Sequence, residues 1–294
     1  MELNIFSFKK AADAGDLLPQ RLPEFNKGDC GRVLCVCGSS GMAGAAYLCA
    51  KAAYRSGAGL VEIFTHESNR IILQTLIPEA IVTTYNDGYT KNDILPSLQR
   101  ADCVVAGCGL GCDTLAREII SDLLREVNTE EKPLILDADA LNIISRSPTL
   151  QKYAKGSVIT PHVKEMARLT GKEVAEILES PAFIAHTFAK NNSLTCVLKS
   201  HITVVSNGSD KVYVNTTGNS GMATGGSGDV LAGILAGILV QKRNCKCKDT
   251  LADAALCVYL HGLCGDIAAE SLTEYSLMAN DIIDALPVAF KKLV

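Results

Sequence analysis

The chain has 294 residues, 48% of them hydrophobic and 20% charged, a globular composition with material for one large core that excludes a disordered or low-complexity polypeptide. A formal net charge of −4, with Lys and Arg scattered along the sequence, offers no basic face and argues against nucleic acid or an anionic membrane as the main partner. Small molecules are the expected ligand class.

The N-terminal stretch MELNIFSFKKAADAG carries charges where a secretory signal needs an apolar core. The longest unbroken apolar run, Val230 to Val240, falls well short of the roughly 20 residues that span a bilayer. No membrane helix and a cytoplasmic location are therefore expected.

In chain order, RVLCVCG reads as a buried strand, followed by a small-residue helix from Ala43 to Arg55, the strand LVEIFT and a helix near Asn69 to Leu76. AIVTT, CVVAG, LILDA and SVIT read as further short strands, with helix-length segments such as Thr114 to Val127 between them. Strands alternating with crossover helices predict a mostly parallel sheet with helices on both faces. After Thr195 the rhythm changes: TCVLK, ITVVSNG and KVYVN follow one another closely, and Asn207-Gly208 is a hairpin signal, so an antiparallel edge is expected there. Helices are predicted over Gly228 to Gln241, Thr250 to Ser271 and Ala279 to Leu293, the last broken at Pro287. With no linker or repeat, residues 1–294 form one expected domain, residues 1–26 being an N-terminal extension.

Twelve cysteines in a chain of this character read as reduced thiols. Cys35/Cys37 and Cys245/Cys247 are C-x-C pairs without a His or second pair at zinc spacing, so no structural metal is expected. Cys108 and Cys112 read as packing residues.

The most informative segment is NTTGNSGMATGGSGDVLAG, Asn215 to Gly233, which leaves a strand, crosses a glycine-rich loop and enters an apolar helix. Its backbone N–H groups and the positive end of the helix dipole suit an anionic oxygen such as a phosphoryl group in transfer. Asp229, in the first turn, is either a helix cap or the base that deprotonates an acceptor hydroxyl; its place beside a phosphoryl pocket favours the base. The loop is not a Walker A sequence, and GSSGMAG, with Gly38, Gly41 and Gly44, is not the G-x-G-x-x-G of a dinucleotide fold. LILDADALNII puts Asp137 and Asp139 just past a strand; each reads as a cap, a metal-facing carboxylate or a substrate contact, with capping favoured for Asp139 and Asp137 left open. Pro161, His162 and Glu165 follow another strand end, and VLKSHITVV offers Lys199 and Thr203 between two strands.

Taken in order, KGDCGRVLCVCGSSGMAGAA, GCGLG, LILDADALN, VITPHVKE, VLKSHIT, GNSGMATGGSGDVLAG and YLHGLCGDIAA closely resemble the ADP- or ATP-dependent NAD(P)H-hydrate dehydratases, from about Lys27 to about Leu286. The resemblance implies a ribokinase-like three-layer α/β/α fold. It also implies repair of the hydrated dinucleotides NADHX and NADPHX (the S-epimer): the ring hydroxyl is phosphorylated at the expense of a nucleotide, and phosphate is then eliminated. It implies that Ala45, Gly109, His162 and Asp229 contact the hydrated dinucleotide, that Lys199, Ser200, His201, Ile202, Thr203 and Gly228 hold the nucleotide, and that Gly225, Gly226, Ser227 and Gly228 form an anion hole. Mg2+ is implied with the nucleotide, ADP is preferred over ATP as donor because ATGGSGD resembles the bacterial loop, and a tetramer and a separate epimerase partner are implied. The chain departs from the family pattern at Ser220, Ser227, Ser200, Val163 and Lys164; Ser200 adds a Cβ in a loop expected to need positive φ, and Lys164 adds a charge on the substrate side. A small-molecule kinase of the same fold and a non-enzymatic nucleotide sensor are the competing readings.

Overall fold

Among the described residues ten strands form one sheet: β1 (Asn4–Phe6), β2 (Arg32–Val36), β3 (Leu60–His66), β4 (Ile81–Tyr85), β5 (Cys103–Ala106), β6 (Leu134–Leu136), β7 (Val158–Ile159), β8 (Thr195–Leu198), β9 (Val204–Ser206) and β10 (Lys211–Val214). Their order is β1-β10-β9-β8-β7-β6-β5-β2-β3-β4. The structure is a computed structural model that describes residues 3–243 and 249–294; the Cys245/Cys247 pair lies outside them. Strands β2 to β8 run parallel, and β9 is antiparallel to both β8 and β10. The hairpin between β9 and β10 turns at Gly208, whose φ of 83° a side chain would resist.

Residues read as an extension supply the outermost strand. Asn4–Phe6 pairs parallel with Lys211–Tyr213, and Phe6 and Phe8 pack edge-on against Tyr213 and Tyr259, so aromatic burial rather than strand length holds this edge.

Successive residues of β2 serve opposite layers: Val33 and Cys35 join one core, Leu34 and Val36 the other. The first layer carries helices Ala43–Arg55, Ser227–Gln241, Thr250–Ser276 and Ala279–Leu293; the second carries Lys91–Arg100, Thr114–Glu126, Val163–Thr170 and Pro181–Asn192. Every residue from Val230 to Val240 is buried. Small residues make this possible: a Cβ on Gly233 would lie 2.2 Å from the Cys49 carbonyl oxygen, and one on Gly237 2.5 Å from that of Ala53. The two helices meet backbone to backbone, which fixes the N-terminus of Ser227–Gln241 over the sheet.

One expectation fails at the C-terminus. Helix Ala279–Leu293 continues through Pro287, because its face of Ile282, Ile283, Leu286 and Ala289 is buried and outweighs one lost backbone hydrogen bond. The preceding helix keeps helical geometry until Thr273, where φ is 67° and ψ 161°, close to the expected end at Ser271, and a short turn beyond the kink reaches Ser276. By length and composition this 27-residue helix is apolar enough to cross a membrane, but 72% of its most apolar window is buried inside the fold, as befits a core helix.

Candidate active site

All the sequence motifs with chemical potential meet at one edge of the sheet. The chain turns back across the sheet between β2 and β5, the place where open α/β sheets form a crevice at their carboxyl ends. The loop after β2 is knitted to the loop after β5: Gly38 N–H donates to the Cys108 carbonyl (2.9 Å), and the Ser39 N–H and hydroxyl both donate to the Gly109 carbonyl (2.6 and 3.0 Å). Gly109, at φ 59°, lies so close to helix Ala43–Arg55 that its Cβ would come within 2.7 Å of Ala45. Ala45 and Gly109 thus form one small-residue wall.

Asp137, at the end of β6, is 1% exposed and occupies the floor. Its Oδ1 accepts from Lys199 Nζ and from Thr160 Oγ1, both at 2.6 Å. Burial opposes the Lys199 charge, but Asp137 and Glu165 outweigh it and hold the ammonium above its usual range. Lys199 is itself held by backbone pairing, its N–H donating to the Pro161 carbonyl at 2.8 Å.

Asp139 does not cap its helix as expected. Ala138 precedes it at φ 48° and ψ −113°, which turns Asp139 away; its Oδ2 accepts from Gly111 N–H (2.8 Å) and so anchors the loop after β5. His162 caps helix Val163–Thr170, Nδ1 accepting from the N–H groups of Lys164 and Glu165 while Glu165 accepts from His162 N–H. Burial, then the cations Lys199 and Arg168, lower the His162 pKa, so its ring is neutral at physiological pH. Burial raises Glu165 to about 7, against the pull of Lys199.

Helix Ser227–Gln241 enters this crevice at its N-terminus. Gly226, at φ 93°, sets the entry; a Cβ there would meet Leu48 at 2.4 Å. Among the described residues no protein acceptor meets the N–H groups of Gly225, Gly226 or Gly228, and that of Ser227 reaches only the Thr224 carbonyl at 3.4 Å. Gly228 faces Lys199 and Asp137, its hypothetical Cβ lying 3.3 Å from Nζ and 3.8 Å from Oδ2. Beside it, burial and then the Asp137 charge raise the Asp229 carboxyl to about 6. Backbone N–H groups without a protein acceptor, an ammonium and a carboxyl therefore stand together here.

The model of the NAD(P)H-hydrate dehydratase family matches residues 33–288. The chain belongs to that family. It is 39% identical over 284 residues to a bifunctional NAD(P)H-hydrate repair enzyme of Moorella thermoacetica, an alignment covering 94% of this chain and 52% of the relative. The chain thus spans about half the length of the bifunctional relatives it matches. It is 34% identical over 277 residues to an ADP-dependent (S)-NAD(P)H-hydrate dehydratase of Enterococcus faecalis, covering 94% and 90%. An ADP/ATP-dependent NAD(P)H-hydrate dehydratase of Bacillus subtilis, co-crystallised with ATP/Mg2+, superposes over 100% of both chains with a TM-score of 0.81 at 28% identity. The three-layer architecture is the ribokinase-like fold.

Around the crevice of this family member, Gly109 lies against Ala45, His162 bridges to Lys199, and Gly228 and Asp229 stand near Lys199 and Asp137. Ser200 to Thr203 lie at its rim, where Ser200 Oγ donates to the Ile202 carbonyl (2.7 Å) and His201 and Ile202 are exposed. Ser200 is not among the residues with positive φ, so the strain expected of its Cβ does not arise. Lys164 is exposed on the outer side of its helix start.

Two residues with a part in the site, His261 and Ala138, escaped sequence reasoning, and a third, Cys108, was read only as packing. His261 Nε2 lies 3.0 Å from the Ser227 carbonyl and 3.3 Å from its hydroxyl, and burial lowers its pKa to about 4. The motif YLHGLCGD was its signal. Cys108 Sγ lies 3.7 Å from Asp137 Oδ2, and nothing in GCGLG marks it; nor does any composition mark Ala138.

Proposed function

We propose that the crevice returns the S-epimer of NADHX or NADPHX to NADH or NADPH, with ADP as phosphoryl donor. The carrying observation is the juxtaposition of the Asp229 carboxylate, raised to about 6, with the N–H groups of Gly225 to Gly228 and the Lys199 ammonium.

Asp229 takes the proton of the ring hydroxyl as its oxygen attacks the terminal phosphorus of the nucleotide, and the Gly225–Gly228 N–H groups hold the transferring oxygens. The phosphorylated hydroxyl then leaves as phosphate and the ring loses a proton, so the sum is hydrate plus ADP giving reduced dinucleotide, AMP and phosphate. Phosphorylation replaces hydroxide, a poor leaving group, by phosphate. Ala45 and Gly109 form the wall for the dinucleotide, with His162 as a neutral contact, while Lys199 to Thr203 and Gly228 take the nucleotide.

The site suits a nucleotide-borne Mg2+. Oδ2 of Asp137 and the Asp229 carboxylate lie together with few other ligands, and Mg2+ usually takes only one or two carboxylates beside phosphate oxygens. When bound, the ion offsets negative charge on the phosphates. A homotetramer, on the strength of the family resemblance, and supply of the S-epimer by an epimerase activity complete the reading.

The test is purified protein with NADHX and either ADP or ATP, followed by the near-ultraviolet absorbance of reduced nicotinamide. Recovery with ADP supports the proposal; a stable phosphorylated product without recovery indicates a kinase. Asp229→Ala is expected to lose about 10²- to 10⁴-fold in turnover with ligand affinity within about tenfold, and unchanged turnover refutes its role as base.

A further inference from the structure

Beneath the crevice, three thiols from separate parts of the chain point at one another. Cys37 follows β2, Cys49 lies on helix Ala43–Arg55, and Cys108 follows β5; each is fully buried, and their sulfurs all lie within 4.8 Å of one another. We propose that Cys37, Cys49 and Cys108 form a binding site for a soft, thiophilic cation.

The spacing of the sulfurs suits such an ion. A cation about 2.3 Å from each of three sulfurs places them about 4 Å apart in a plane, within the observed spacing. Cys35 borders the trio, its sulfur 4.0 Å from that of Cys49. Thiolate sulfur selects soft ions such as zinc and monovalent copper, whereas Mg2+ prefers oxygen.

Cys108 also belongs to a second group, with Asp137 and Asp229, whose ligand atoms lie within 4.8 Å of one another. Asp229 is partly exposed, so an ion on the crevice floor passes from carboxylates to sulfurs without crossing apolar core. Hydrogen bonding to Cys108 and to Cys35, and after them burial, hold the Cys49 thiol well above its usual range, so an ion that binds there displaces protons. A divalent ion and three thiols give a tris-thiolate of net charge −1 and three protons released to solvent. The Lys199 ammonium, whose field reaches Cys108, offsets that charge.

The test uses reduced full-length protein carrying Cys245→Ser and Cys247→Ser, which removes the C-x-C pair as a competitor, in excess Mg2+. Cd2+ is titrated while the ultraviolet thiolate-to-metal charge-transfer band is followed, and X-ray absorption counts the sulfur neighbours. One equivalent of Cd2+ with three sulfur neighbours is expected. Cys37→Ala and Cys49→Ala should each weaken binding at least about tenfold, and Cys264→Ala, buried elsewhere, should not. No charge-transfer band, a first shell of oxygen or nitrogen, or a band indifferent to both substitutions overturns the site. If those variants fail to fold, the sulfur count on the intact trio decides. None of these readouts depends on turnover, so the site stands or falls apart from the repair reaction.

Discussion

The ammonium of Lys199 lies 2.6 Å from Oδ1 of Asp137, joining a largely buried cation at the end of β8 to a carboxylate that β6 buries on the crevice floor. With only 2% of the Asp137 side chain exposed, removing the partner leaves an uncompensated charge, which typically costs about 3–5 kcal/mol. Lys199→Met is therefore expected to lose that much in denaturant unfolding. Adding Asp137→Leu should restore most of the stability, because the stranded charge is gone, while nucleotide binding stays lost. Equal destabilisation of the single and double variants would show that the pair is not coupled.

The proposed role of Asp229 as base gives activity a pH dependence with a definite sign. A base works deprotonated, and burial followed by the Asp137 charge raises this carboxyl to about 6. Turnover per unit substrate affinity should rise about tenfold per pH unit below 6 and level off above it. Asp137→Asn removes the second cause of the shift, so its inflection should lie at lower pH. A profile of kcat/KM between pH 4.5 and 8 checks both; an inflection that stays in place in the variant refutes the electrostatic link.

Glu165 gives a stability prediction of the opposite use. Burial raises its carboxyl from 4.5 to about 7, so the folded state prefers it protonated. Between those values the folded chain binds more protons than the unfolded one, and stability contributed by this group is lost as pH rises through about 7. Glu165→Gln keeps an acceptor for the His162 N–H but does not titrate. Its Tm should fall less than that of the parent between pH 5 and 8, as read by calorimetry; identical slopes would exclude Glu165 as the titrating group.

Much of this was legible in the sequence because burial on both faces writes parallel strands as short apolar runs. VLCV, CVVA, LIL and SVIT are such runs, and the residues that follow them, Gly38, Gly109, Asp137 and His162, had to emerge at the carboxyl ends of the strands. The Lys199–Asp137 pair was not legible, since it joins residues 62 apart and no local pattern encodes which strand ends become neighbours. The three-residue strand Asn4–Phe6 escaped for the same reason: its partner is more than 200 residues away, and its stability comes from Phe6 and Phe8 packing on Tyr213 and Tyr259. Pro287 misled because local propensity was weighed without the buried face that overrides it.

Ala138 tests whether the site stores backbone strain. At φ 48° and ψ −113° it stands in a region that side-chain-bearing residues avoid, at a cost on the order of 1–3 kcal/mol, yet the turn it makes sends Asp137 to Lys199 and Asp139 to the Gly111 N–H. Glycine adopts such a backbone without penalty, although it gives up about 0.5–1 kcal/mol through its freer unfolded state. Ala138→Gly should therefore be neutral or stabilising by up to about 2 kcal/mol, with the crevice geometry retained. The control is Ala140→Gly, two residues on, in ordinary helix and fully buried, which should destabilise by at least about 0.5 kcal/mol. Urea unfolding of the two variants beside the parent decides: a loss at position 138 as large as that at 140 would mean that the turn carries no strain.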